Sequence, residues 1–508
     1  MTKTDTRPPK LLPGEKLLEI KEYPEAHPDN FPSSTKVIEE LTKTSSVNEI
    51  GVKGPVVAAE AIKSHKNIKD FHRYEAVFGR DSLRVAEDLV DEYPELARTT
   101  LMYLASQQGM EVNKEREEEV GRILHEDRNP DRDPIAKELT RTNGWGWPYY
   151  GTVDATPQFL RLLAAYCHRV ADGPGILNQT FRDRSGKDRT IVSAMDLALE
   201  WIISRLNANK EGLLEFKRAI PGGLENQMWR DSWDSFFHED GTVANHEAGI
   251  ASIDVQRVAY EALLDSAGIY ANDLNKVKES VELRERAKLL KTAIFDHFWC
   301  QDKAGYFVIG TDRDSHGNLR QLKVRSSDMG HLLHSRLLSG AEYDDARETV
   351  IRQLFSNDML GINGIMSISS DSYRYREGAY HNGSVWGWDN YLIAQGLRAN
   401  GYFALSDFIE QRVLEVIAYS HRYVEFSCGG RDPSYRIPNR LVRVWDSINN
   451  RENVIEEAPQ DMQAWTVAAV AAIEEERKKR QLSRMAIDPK KRKLELEILS
   501  GDSVKALS

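Results

Sequence analysis

Apolar residues recur at helical spacing over most of the chain. Val192, Met195, Leu199, Ile202 and Leu206 fall on one face of a helix. So do Leu283, Ala287, Leu290 and Ile294, and again Met462, Trp465, Ala469 and Ile473. Thr156 followed by Pro157 reads as an N-cap with a first-turn proline, and predicts a helix through Phe159, Leu163 and Tyr166. Asp389 opens another helix, which Gly401 ends. Counted this way, roughly ten to thirteen helices lie between residues 75 and 476. No series of alternating strands accompanies them; residues 303–324 have room for one short hairpin. The first fifty residues are rich in Pro, Lys and Glu, and the chain beyond about 474 is charge-rich, with Lys490, Lys491, Arg492 and Lys493 in a row. Three parts are expected: an N-terminal arm or small subdomain over 1–70, a helical main domain over 71–476, and a charged C-terminal tail over 477–508.

A chain of 508 residues is too long for one ordinary compact core. Many helices and few strands suggest a closed all-α architecture instead. In a ring of helical hairpins, inner helices surrounded by outer ones bury a large core while the loops gather at one end. That end forms a funnel, and loops on a rigid scaffold are where chemistry usually sits.

Composition narrows the field. Hydrophobic residues make up 41% and charged residues 29%, a globular balance. The net charge of −11 argues against nucleic-acid binding. Cys167, Cys300 and Cys428 are scattered, build neither a disulfide framework nor a zinc site, and suit a reducing compartment. The N-terminal stretch lacks the apolar segment of a secretory signal, and no run is long enough to span a bilayer, so a cytoplasmic location is expected. The sequons at Asn178 and Asn382 then read as chance matches. The chain carries no phosphate-binding loop, dinucleotide fingerprint, H-E-x-x-H pair or EF-hand loop, and no G-x-S-x-G elbow. No cofactor and no metal are expected. The partners expected are a small carbohydrate substrate and, at most, further copies of the chain, with no nucleic acid and no membrane.

Four loops concentrate Trp, Tyr, Asp and Glu. They are Phe78-Gly-Arg80-Asp81, the stretch from Trp145 and Trp147 through Tyr149, Tyr150 and Asp154, the stretch from Glu225 through Gln227, Trp229, Arg230, Asp231 and Trp233 to Asp234, and the stretch from Tyr380 through His381, Asn382, Trp386 and Trp388 to Asn390. Sugars need this combination: their C–H faces stack on flat rings, while their hydroxyls exchange hydrogen bonds with Asp, Arg, Asn and His.

Glycoside hydrolysis needs two carboxyl groups, one protonated and one ionised. Asp231, between Trp229 and Trp233, has the apolar neighbours that raise an acid's pKa. Arg230 would oppose that if it pointed inward, so it is expected to turn elsewhere or to another acid. Asp234 competes for the role. Glu425, in an aromatic and glycine-rich loop, is the best placed second carboxylate; Glu456 and Glu457 are rivals.

The motifs FGRDSL (78–83), TVDATPQFL (152–160), GLENQMWRDSWDS (223–235), SSDMGHLL (326–333), YHNGSVWGWDNYLIAQGL (380–397) and APQDMQAWTVAA (458–469) together resemble the six-hairpin glycosidases. The resemblance is greatest to bacterial glycogen-debranching-type amylo-α-1,6-glucosidase catalytic domains and to glucosylglycerate and mannosylglycerate hydrolases. It runs from about residue 70 to 475. It implies an (α/α)6 barrel and an inverting mechanism, with Asp231 as general acid and Glu425 as general base. Arg80 and Asp81 would hold hydroxyls of the innermost sugar. Trp147, Tyr149, Tyr150, Asp154, His381, Asn382, Trp386 and Trp388 would line its subsite, with Gln227, Trp229, Arg230 and Asp234 beside the acid. Residues 1–70 are too short for the β-rich domain of the debranching-type proteins, and Trp388 departs from the usual residue after the Val385-Trp386 pair. Both features favour a small α-linked glucoside or mannoside: a disaccharide, a glycosylglycerate or an oligosaccharide end. A sugar epimerase or lyase on the same ring, using His381 with His246 or His421, and an inactive carbohydrate-binding protein are the alternatives.

Overall fold

The computed structural model describes residues 11–22, 32–41, 74, 76–438, 440–448, 450–456, 459–480 and 488–507. Its helices are α1 (Ser34–Leu41), α2 (Gly79–Asp88), α3 (Pro94–Ser106), α4 (Pro134–Asn143), α5 (Ala155–Arg169), α6 (Ile191–Leu206), α7 (Ile253–Asn272), α8 (Val277–Phe298), the single-turn α9 (Asp328–His331), α10 (Asp344–Leu354), α11 (Gly387–Ala399), α12 (Phe403–Ser420), α13 (Ala464–Arg480), α14 (Pro489–Leu499) and α15 (Asp502–Lys505). The fold is helix-rich and all-α in class. Helices α2, α5, α7, α9, α11 and α13 touch one another in that order, and α13 touches α2. Each of the six carries another helix on its flank: α3 on α2, α6 on α5, α8 on α7, α10 on α9, α12 on α11 and α1 on α13.

Sequence chemistry separates the two sets. Along α7 and α11 most positions are buried, polar ones included. Helix α8 buries only a stripe that includes Leu283, Ala287, Leu290 and Ile294, and leaves Val277, Val281 and Leu289 exposed. Thr156 does not cap α5. The helix starts two residues earlier, at Ala155 with Asp154 as N-cap, and the Thr156 hydroxyl accepts the Ile123 N–H (3.0 Å). Helix α11 begins at Gly387, two residues before the expected Asp389.

The strands exceed the single hairpin expected. They include β1 (Glu15–Glu22), β2 (Val77–Phe78), β3 (Glu126–Asp127), β4 (Gly310–Arg313), β5 (Leu319–Leu322), β6 (Ser384–Trp386), β7 (Phe426–Cys428), β8 (Arg440–Asp446) and β9 (Arg451–Glu456). The β4–β5 pair is the hairpin foreseen within 303–324. The N-terminal arm contributes β1 to an antiparallel sheet in the order β1-β8-β9. At the other end α14 and α15 dock on the body: Leu494, Ile498, Val504 and Leu507 join the main core, and the buried Glu495 accepts the Ala404 N–H (2.6 Å) at the start of α12. Among the described residues no helix is long and apolar enough to cross a membrane.

Candidate active site

The loop holding Trp229, Arg230 and Asp231 has no regular secondary structure, so side-chain bonds hold its shape. Arg230 is wholly buried. It donates from Nε to Asp328 Oδ2 (2.7 Å) and from Nη2 to Ser327 Oγ (2.8 Å) and the Ser367 carbonyl (2.7 Å). Its Nη1 donates to the His381 carbonyl (3.2 Å). The Trp229 indole donates to the other Asp328 oxygen (2.9 Å), and the Arg230 guanidinium lies 4.2 Å from the centre of that indole. Arg230 is committed inward, while Asp231 is half-buried. Asp231 lies within electrostatic reach of Arg80, Asp81 and Tyr380.

Arg80 and Asp81 sit in the first turn of α2, just after β2 pairs with β3. Gly79 allows that approach, because a Cβ there would overlap the Leu124 carbonyl oxygen. Arg80 donates from Nε to Asp154 Oδ2 (2.6 Å) and from Nη2 to Thr152 Oγ1 (3.2 Å). Thr152 donates to the second Asp154 oxygen (2.7 Å), so Asp154 ties the starts of α2 and α5 together. Asp81 is buried beside them. Burial pushes its carboxyl up to about 7; Arg80 opposes the rise, and Asp231 and Asp154 add to it.

Glu425 immediately precedes β7, whose pairing with β6 sets Phe426 opposite Trp386. This register brings the 376–383 loop against Glu425. A Cβ on Gly383 would overlap the Arg376 carbonyl oxygen, so the loop closes only on glycine. Tyr380 donates its phenol to Glu425 Oε1 (2.7 Å), and the Gln460 N–H reaches Oε2 (3.2 Å). Glu425 itself is buried. Burial, then Glu425, Asp231 and Tyr74, hold the Tyr380 hydroxyl far above its ordinary pKa.

Four indoles pack beside this pair. Trp229 stands edge-on to Trp388 at 5.0 Å and to Trp386 at 5.8 Å, and Trp388 lies 5.1 Å from Trp465. The Nε1–H groups of Trp388 and Trp465 are buried without a protein partner. His381 stacks on Trp386 (5.3 Å, 15°). Its Nδ1 accepts the Ser232 N–H (3.3 Å), and Nε2 is likewise buried without a protein partner. Burial, Arg230 and Arg80 keep this ring neutral.

Other residues brought forward by the sequence turn into the body of the loops. Tyr149 stacks on Trp145 (3.8 Å), donates to Glu117 (3.2 Å) and accepts the Leu224 N–H. Tyr150 donates to the Gln107 carbonyl (2.6 Å), and Trp147 donates to Thr140 Oγ1 (2.9 Å). Gln227 is buried between Glu117 and Arg122. Asp234 lies 3.6 Å from Arg374, and Asn382 donates to the Asp234 carbonyl (3.0 Å), which also buries that sequon. The Trp386 Nε1–H is spent on Ser384 and the Tyr380 carbonyl. Glu457 and the Glu456 side chain fall outside the described residues. His246 pairs with Asn226 (3.3 Å), and His421 is an exposed left-handed cap at the end of α12. Among the described residues no group of His, Cys, Asp and Glu is arranged to hold a metal ion.

The mannosylglycerate hydrolase MGH1-like glycoside hydrolase domain matches residues 157–425, from the first turn of α5 to Glu425 itself. The chain belongs to this glycoside hydrolase family. No curated protein matches it. In this glycoside hydrolase the matched span contains Asp231, Tyr380 and Glu425, while Arg80 and Asp81 lie before it and the β8–β9 hairpin beyond it. Three further residues of the hydrolase emerge only in three dimensions. Tyr380 and Asp328 lie inside motifs legible in the sequence, with no local sign of what they bind. His331 is buried between Asp254 (2.8 Å) and Asp389 (2.6 Å), contacts that join α7, α9 and α11.

Proposed function

We propose that this glycoside hydrolase is an exo-acting, inverting enzyme for a small α-linked glucoside or mannoside, a glycosylglycerate or a disaccharide, built on an (α/α)6 barrel. The barrel reading is supported by the closed order of contacts from α2 through α13 back to α2. The catalytic reading is carried by one observation: the Tyr380 hydroxyl bonds Glu425 while standing in the field of Asp231. Glu425 bonds this phenol and Asp231, some two hundred positions away in the chain, acts on it through space, which supports reading the two acids as one pair. An epimerase using His381 with His246 or His421 finds no such support, because these rings are engaged or exposed in separate places.

In this reading Asp231 gives its proton to the glycosidic oxygen as the bond from that oxygen to the anomeric carbon breaks. A water on the opposite sugar face attacks the anomeric carbon, and its proton passes to Glu425. Room for that water requires the two carboxyl groups to stand roughly 6.5–9.5 Å apart. Arg80, Asp81, His381 and Trp388 supply donors and acceptors for the innermost sugar. Arg230, Tyr149, Tyr150, Asp154 and Gln227 serve it by positioning the loops.

The test is a panel of α-linked disaccharides and α-glucosyl- and α-mannosylglycerates, with the first-formed product anomer read by NMR. A β product is expected; an α product rejects inversion. Asp231→Asn should lower kcat by about 10²–10⁴-fold on substrates with poor leaving groups while KM changes little. Full activity in that variant overturns the assignment of the acid.

A further inference from the structure

Two of the groups that hold Glu425 come from different parts of the chain. The Gln460 N–H reaches Oε2 (3.2 Å), and Gln460 is itself pinned by the Glu425 N–H donating to its carbonyl (2.9 Å). Tyr380 reaches Oε1 (2.7 Å) from the 376–383 loop. We propose that Tyr380 is the positioning residue of the base: its phenol donates its one proton to Oε1 of Glu425 and so fixes both the orientation and the basicity of the oxygen that takes the proton of water. This rests on the proposed roles of Asp231 and Glu425.

Three observations support the assignment. First, the ring has no freedom to swing away. It is wedged against His381 (4.3 Å), Trp386 (5.1 Å) and Phe426 (5.3 Å), and Phe426 is the next residue after Glu425. Second, the phenol keeps its proton. Burial disfavours a phenolate, the charges of Glu425 and Asp231 and the Tyr74 phenol add to that, and burial keeps the neighbouring His381 neutral. It therefore acts as a fixed donor and does not compete with Asp231 as an acid. Third, a phenol that has given its only proton to Glu425 has only lone pairs left to offer a water. Such a water donates one hydrogen to Tyr380 and the other to Glu425, leaving its own lone pair for the sugar.

A hydrogen bond to a carboxylate favours its charged form, so this contact lowers the basicity of Glu425 and sharpens its aim. The consequence has a sign. Removing the phenol oxygen raises the pKa of the base, and the acidic limb of the rate profile moves to higher pH.

The experiment uses the full chain with α-glucosyl fluoride and α-mannosyl fluoride as probes, since fluoride departs with little help from an acid and the acidic limb then reports the base. Tyr380→Phe is expected to move that limb of kcat/KM up by about one pH unit and to lower kcat by about 10- to 100-fold, with KM little changed. A single 3-fluorotyrosine at position 380 is a stronger donor and should move the limb down. A limb that stays in place in both proteins overturns the proposal. Should Tyr380→Phe fail to fold, the fluorotyrosine protein alone decides by the same criterion. Glu425→Gln runs alongside. If it keeps turnover, the assignment of the base itself falls. If it is inactive while the Tyr380 proteins leave the limb unmoved, only the role of Tyr380 falls.

Discussion

At the scale of single residues, the 229–231 stretch works by division of labour. Arg230 is sent wholly into the core, while its neighbour Asp231 stays half-buried, within electrostatic reach of Arg80, Asp81 and Tyr380. The sequence suggests that Arg230 turns elsewhere or to another acid; that the partner is Asp328 could not be read, because it lies almost a hundred positions away. Asp81 shows the other side of burial. Its carboxyl titrates near 7 when folded against an ordinary value of 3.8. The folded protein therefore holds this proton more tightly than the unfolded chain does. The stability linked to it is present below about pH 4 and is lost as pH rises toward 7. Asp81→Asn should flatten the fall in Tm between pH 4.5 and 7, a comparison that thermal denaturation at several pH values makes directly. An unchanged slope would mean that Asp81 is ionised throughout this range.

At the scale of elements, the β1-β8-β9 sheet ties the N-terminal arm to the site. Strands β8 and β9 lie within the excursion between Glu425 and Gln460, the two residues that bond each other. Asn453 of β9 accepts the Trp233 indole N–H (3.1 Å), and Arg451 covers that ring at 4.3 Å. From β1, the Glu15 carboxylate reaches Arg376 (2.6 Å), both side chains being almost wholly buried. Arg376 begins the turn that carries Tyr380 to Asn382, its N–H donating to the Asn382 carbonyl (2.8 Å). Removing one partner of a buried ion pair costs about 3–5 kcal/mol. Glu15→Ala should speed amide exchange in β8 and lower kcat, although Glu15 is not among the groups proposed to touch substrate. Protection of β8 equal to that of the unaltered protein would show the arm to be dispensable. The β8–β9 hairpin has a local signature in the sequence: Val442 and Val444, both buried, alternate with Arg443 and Trp445, and Ser447 to Asn450 is turn chemistry.

At the scale of the whole molecule, the ring of helices closes over a charged centre as well as an apolar one. His331 bridges Asp254 and Asp389, and Arg257 also donates to Asp254 (2.8 Å). Burial opposes its charge, but the two carboxylates prevail and raise the imidazole to about 9. A raised folded pKa gives stability that is complete below about pH 6.5 and is lost as pH rises through 9, on the order of 3 kcal/mol. His331→Gln should lower Tm at pH 6.5 and remove most of the further fall between pH 7 and 9.5. Equal slopes in the two proteins would show that this histidine is neutral.

The sequence by itself determined the helical class, the apolar stripes of α6, α8 and α13, the loops rich in aromatic and acidic side chains, and a short set of candidate carboxylates that includes Asp231 and Glu425. These follow from local periodicity and from the chemistry of residue types, which act over a few positions. Only the tertiary structure decided which of the loop residues face inward, that Tyr149, Tyr150 and Gln227 spend their polar groups inside the loops, that Tyr380 grips Glu425, and that the N-terminal arm closes a sheet with the distant β8. Each of those depends on partners tens to hundreds of positions apart, and a buried polar group takes its role from whichever partner the packed core delivers to it.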